Sequence, residues 1–151
     1  MKLYKALKLR KTLLGEITKL KQEIKENNSH IVGSKNAERY DVKAAYAELY
    51  KKTQNLVALK FVINEANREI QAKIYRLSEY KALIAFLSDV SVKEGVQNIG
   101  YSEQLREYAV HMNETEIKEI ISDYQTKIDV LQDEIDVFNH TTEIPWGNEE
   151  E

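Results

Sequence analysis

The residues of this chain with the most chemical promise are its three histidines and the carboxylates near them. Glu107 and His111 stand four apart, a spacing that on a helix would point a carboxylate and an imidazole the same way, as a metal pair or proton relay requires. His140 and Glu143 stand three apart at the close of a helical stretch. Neither pair grows into a site. Zinc takes three or four protein ligands, and a carboxylate-bridged di-metal bundle takes several Glu with repeated Glu-x-x-His, a motif absent here. Glu107 and His111 also fall in a stretch that reads as strand, and His140 with Glu143 suits the capping of a helix end better. The sequence contains no Cys, no Gly-rich phosphate loop, no HExxH and no Ser/His/Asp set in a supporting motif. The expectation is a non-enzymatic chain with no catalytic residue, metal ligand or cofactor.

Recognition is the other chemistry on offer. The chain holds nine Tyr, and Tyr40, Tyr46, Tyr50, Tyr75, Tyr80, Tyr101 and Tyr108 carry rings that could stack on bases or close an interface. Base-stacking surfaces interleave such rings with Lys or Arg, which only Tyr46 to Lys52 and Tyr75 to Lys81 approach. Residues 1–26 hold eight Lys or Arg against three Glu, whereas residues 103–151 hold three Lys or Arg against fourteen acidic groups. A basic stripe built for nucleic acid usually carries its whole domain to high pI; here the pI is about 5.7. The asymmetry therefore favours a first helix lying beside the last, their charges complementing each other. An accessory role on nucleic acid stands as the alternative.

Packing is what the sequence specifies best. From Asn113 to Asn139, apolar residues recur at Ile117, Ile121, Tyr124, Ile128, Leu131, Ile135 and Phe138, alternating four and three as a coiled-coil seam does. Asn113 with Glu116 forms a capping box at its start. Burying each of these seven side chains is worth roughly 1.5–3 kcal/mol, against about 1–2 kcal/mol to fix each residue's backbone. A lone helix of this length does not hold, so the stripe must lie on other helices.

The rest of the chain is written in the same style. A first helix over about 2–28 places Leu3, Ala6, Leu13, Ile17, Leu20 and Ile24 on the seam, with Arg10 and Asn27 as polar interruptions that fix register or partner number. Arg10 also has the option of reaching a carboxylate of the last helix. Residues 27–40 form a hairpin connection, with His30, Ile31 and Val32 at a loose tip. Asp41 caps a second helix whose seam runs through Val42, Ala45, Leu49, Leu56, Leu59, Ile63, Ala66 and Ile70, with Lys52 out of place. Residues 63–77 allow two readings: one continuous helix, or a turn with a strand-like segment at Ile70 to Leu77, where Ile70, Ile74 and Tyr75 favour β structure. A third helix runs from about Ser78 to Glu94 and ends at Gly95. Tyr108, Val110 and Met112 then alternate as one short strand, for which Ile70 to Leu77 is the available partner.

Several of these residues together resemble a family of small bacterial and phage proteins labelled septicolysin-like. They are Met1-Lys2-Leu3 with Ala6-Leu7 and Leu9-Arg10, Ile63-Asn64 with Asn67, Leu77-Ser78 opening a helix, and Asn139-x-Thr141-Thr142-Glu143 closing the last one. The likeness covers roughly residues 1–144. It implies a long helical hairpin, two further helices and a small β element, hence the broken version of residues 63–77. This chain lacks the Gly such proteins carry after the second helix, and has His140 where they carry Trp; Trp146 is placed to supply the ring. The family label brings a third reading, a membrane-active cytolysin, with no reaction attached.

Apolar residues are 42% and charged residues 31%, with one Pro and five Gly among 151 residues, the balance of helices with charged outer faces. The expectation is a mainly α fold: a long antiparallel helical hairpin of coiled-coil type, two further helices and a small β ribbon at one end. Residues 1–144 form one domain and 145–151 a flexible acidic tail. No signal peptide or membrane span is encoded, so the expected place is the cytoplasm. The expected partners are further copies of the chain and another protein bound by its loops, with nucleic acid and membrane disfavoured. Arg10, Asn27, Asn64, Asn67, Asn139, Thr141 and Thr142 are the candidate structural or interaction residues, the first two as seam interruptions and the other five as helix terminators.

Overall fold

In a computed structural model, which describes residues 1–34, 40–98, 100 and 105–147, the heptad stripes become α1 (Leu3–Asn27), α2 (Val42–Asn67), α3 (Gln71–Asp89) and α4 (Glu114–Thr141). Between α3 and α4 lies a two-stranded antiparallel ribbon of β1 (Gly95–Asn98) and β2 (Leu105–Tyr108). The protein is mainly helical, as the periodicity requires, and divides into two compact units. One is residues 1–69 with the chain from Phe138 onward; the other is residues 70–137.

The first unit is the helical hairpin. Leu3, Ala6, Leu13 and Ile17 of α1 pack with Leu56, Leu59 and Ile63 of α2 and with Ile144 in one buried cluster, and all seven helical members are seam positions. Lys52, the residue out of pattern, pins the register instead of spoiling it. Its Nζ lies 2.9 Å from Glu16 on α1 and 3.5 Å from Glu48 one turn back. The hydrogen bond to Glu16 is the main cause that raises its pKa, against partial desolvation. Asp41 accepts a hydrogen bond from the Ala44 N–H at 2.9 Å and caps α2. At the far end, Tyr40 Oη donates to Glu23 at 2.9 Å; desolvation first, and then this bond, raise the phenol's pKa. Ile31 and Val32 stand in solvent; residues 35–39 of this connection lie outside the described residues.

The second unit corrects the reading of residues 63–112. The chain breaks after Asn67 in a three-residue turn and resumes helix at Gln71, so this stretch is neither one continuous helix nor strand. Ile70 is buried, and the N–H groups of Lys73 and Ile74 both donate to its carbonyl at 2.9 and 3.0 Å. Ile74, Leu77, Tyr80, Ile84 and Leu87 follow it on a buried or half-buried face, so helical period outweighs the β preference of individual residues. Ser78 is therefore inside α3, not its cap, and the helix ends at Asp89 rather than at Gly95. Gly95, at a φ of 76°, opens β1. The ribbon pairs Gly95 with Tyr108 and Asn98 with Leu105. β2 thus ends where the alternation Tyr108, Val110, Met112 begins, and its partner is the nearby β1, a shorter loop to close than the one back to Ile70.

α4 begins as its sequence dictates. The Asn113 side chain accepts from the Glu116 N–H at 2.9 Å while the Glu116 carboxylate accepts from the Asn113 N–H at 2.8 Å, both halves of a capping box. Ile117, Ile128, Leu131 and Ile135 are buried and Ile121, Tyr124 and Phe138 half-buried, which accounts for the whole seam. Within this unit Tyr80 of α3 meets Tyr124 at 5.1 Å between ring centroids, and Lys73 pairs with Glu134 at 2.9 Å.

Replacing Leu59, whose relative exposure is 0%, with Ala is expected to cost about 2–5 kcal/mol. Asn113→Ala, which removes only a cap, is expected to cost about 1 kcal/mol. Urea unfolding followed by circular dichroism measures both, and equal losses would contradict this ranking.

Candidate functional site

The first unit is closed by a clasp between the start of α1 and the end of α4. α1 has no side-chain cap and no acidic residue in its first turn, so its leading N–H groups need other acceptors. Thr142 supplies one: its carbonyl accepts from the Leu3 N–H at 2.9 Å. Lys2 pairs backbone to backbone with Glu143. Ile144 N–H donates to Met1 O at 2.8 Å, and the Met1 nitrogen donates to Ile144 O at 3.0 Å. A lysine is the wrong charge for the start of its own helix and the right one for the end of another. Lys2 Nζ accordingly donates to Thr141 O at 3.0 Å and pairs with the Glu143 carboxylate at 3.0 Å. This bond is the main cause that lowers the pKa of Glu143. Tyr4 and His140 stack at 4.6 Å beside it.

Next to the clasp lies a cavity of about 350 Å³ lined chiefly by Phe61, Val62, Ala66, Phe138 and Pro145, with Glu65, Glu69 and Glu143 among its walls. Glu65 is engaged by Arg68 and Glu143 by Lys2. The lining holds no imidazole or lysine, and among the described residues no group of three or more His, Cys, Asp or Glu could hold a metal ion. This is the chemistry of an apolar contact with an acidic rim.

Phe61 also belongs to a second feature. Tyr46, Tyr50, Val57 and Phe61 are 61, 60, 58 and 67% exposed. At 100° per residue they run along the side of α2 opposite Ala45, Leu56, Leu59 and Ile63. α2 is thus apolar on two faces, and α1 covers only one of them.

The structure brings Asn139, Thr141 and Thr142 together with Met1-Lys2-Leu3. The Thr residues act mainly through their carbonyls, although Thr141 Oγ1 also donates to Phe138 O at 3.4 Å. Asn139 is half-buried on the same turn. Asn64 and Asn67 lie in the last turn of α2, whose end is closed by Arg68 N–H to Glu65 O at 3.3 Å. Asn27 stands at the other end of the hairpin, its Nδ2 donating to Glu23 O at 2.7 Å. Arg10 is half-buried on α1. Within this unit α1 lies along α2, and the closing turn of α4 meets the start of α1. Trp146 is partly buried against the core cluster. Glu149 to Glu151 and Tyr101 lie outside the described residues. The alternation of Tyr46, Tyr50, Val57 and Phe61 was visible in the sequence but is masked by the stronger core seam beside it. The charge of Lys2 pointed only to a basic first helix.

No described helix is long and apolar enough to cross a membrane. Comparison with known proteins returns no match to any family model, curated protein or solved structure.

Because Glu143 titrates below its ordinary value of 4.5 when folded, its pair with Lys2 stabilises the fold fully above that value. The stabilisation disappears as pH falls through the lowered folded value. Glu143→Gln should therefore melt below wild type at neutral pH and converge with it in acid. Thermal melts from neutral pH to pH 3 test this; a gap that widened in acid would refute the pairing.

Proposed function

We propose that this chain is a non-enzymatic helical structural and interaction protein that self-associates in the cytoplasm. The observation that carries this reading is the outward stripe of α2, since four large apolar side chains on one helix face, each more than half exposed, are what an association surface looks like before it is covered. Tyr75 and Phe86 on α3 and Val130 and Val137 on α4 add exposed apolar surface in the second unit. The septicolysin-like resemblance supports the same hairpin scaffold and adds no reaction. A second reading, an accessory protein on nucleic acid, draws on Lys8, Lys11 and Lys19, which line one shallow trough of α1.

Light scattering over a range of micromolar concentrations should give a mass rising above the 17.6 kDa of one chain, with no shift of DNA or RNA at low salt. A single-chain mass throughout would end the first reading. A nucleic-acid shift that vanished steeply with salt would establish the second.

A further inference from the structure

Resting on that reading, we infer that the outward face of α2 pairs with the same face of a second copy, antiparallel, about a two-fold axis through Thr53 and Gln54. The evidence is the spacing. Tyr46, Tyr50, Val57 and Phe61 are separated by four, seven and four residues, an order that reads the same in both directions. Reversal about the midpoint of Thr53 and Gln54 carries Tyr46 onto Phe61 and Tyr50 onto Val57, the self-complementarity that a two-fold interface demands. Heptad period allows such symmetry in any stripe; here all four large exposed side chains of the face obey it about one midpoint.

The charges agree with this direction of pairing. Reversal carries Lys43 onto Asn64, Lys51 onto Leu56, Lys52 onto Asn55 and Lys60 onto Ala47, and the acids Glu48 and Glu65 onto Leu59 and Val42. No charged side chain of α2 meets another at its mirror position, and Lys43 comes one residue from the partner's Glu65. Parallel pairing in register sets Lys43 level with Lys43 and Lys60 level with Lys60 and offers no opposite charge in return, so the charges favour the antiparallel order. Antiparallel helices also align their dipoles favourably. In this arrangement the partner's Tyr46 lies against Phe61, at the wall of the cavity beside the clasp.

The size of the face sets the strength. At their observed exposures the three aromatic rings offer roughly 300–500 Å² per copy, below the about 800 Å² per partner of a standard interface. The dimer is therefore weak and concentration-dependent, in the micromolar range.

Three measurements decide. Sedimentation of the full chain against concentration should show a monomer–dimer equilibrium, lost in Tyr50→Glu and retained in Val137→Glu, with unchanged circular dichroism in both. Because the chain has no Cys, single cysteines report geometry without interference. A mixture of Tyr50→Cys and Val57→Cys proteins should oxidise to the mixed disulfide, and each alone should remain uncrosslinked. Crosslinking of Tyr50→Cys alone would overturn the antiparallel register. A dimer that survived Tyr50→Glu would overturn this face while leaving self-association intact. A chain that stayed monomeric at every concentration would overturn both.

Discussion

The hairpin unit depends on a reciprocal exchange between two helix ends. A helix leaves N–H groups without acceptors at its start and carbonyls without donors at its finish, and here each end serves the other. Thr142 gives its carbonyl to the Leu3 N–H, and Lys2 gives its ammonium to the Thr141 carbonyl. The exchange also puts Ile144 and Trp146 on the core, which buries apolar area beyond the hairpin's own seam. Closing a loop of nearly the whole chain costs little more than closing a short one, since each doubling adds only about 0.6 kcal/mol. A few hydrogen bonds and one buried isoleucine are enough to make distant segments into one unit.

The same accounting explains α2. A helix that packs on one neighbour needs one apolar stripe, and Ala45, Leu56, Leu59 and Ile63 already provide it. Tyr46, Tyr50, Val57 and Phe61 contribute nothing to that core. Their exposure leaves unused roughly 25 cal/mol for each Å² of apolar surface, which the proposed association would recover. Polar residues inside seams act in the opposite sense: Lys52 contributes little net energy at a partly exposed site, but its bonds to Glu16 and Glu48 make one alignment of α1 on α2 better than its neighbours.

How legible the protein was in its letters follows from the range of each signal. Heptad spacing is local and repeated, so the seams, the Asp41 cap and the Asn113–Glu116 box were readable. The break at 68–70 carries no Gly or Pro and depends on where Ile70 is buried, a tertiary fact. The pairing of β1 with β2 was hidden because β1 is four residues with little alternation. The clasp was half visible: its two motifs stood out for their resemblance, but nothing in the letters says that residues 1–3 and 142–144 meet. The α2 stripe is hard to read as a unit because its tyrosines share their face with Val57 and Phe61, and the buried seam beside it carries the stronger period.

Phe61 links the two features. It closes the exposed stripe of α2 and also lines the cavity whose other wall is Thr142, Glu143, Ile144 and Pro145 of the clasp. In the proposed dimer a partner seated on α2 would exclude water from Phe61, and a closed clasp would hold that wall where the partner meets it. Because linkage is reciprocal, whatever association gains from a closed clasp, the clasp gains from association. If α2 pairs as proposed, the charged pair of Lys2 and Glu143 would influence assembly without touching the assembling surface, in the direction that opening the clasp weakens pairing.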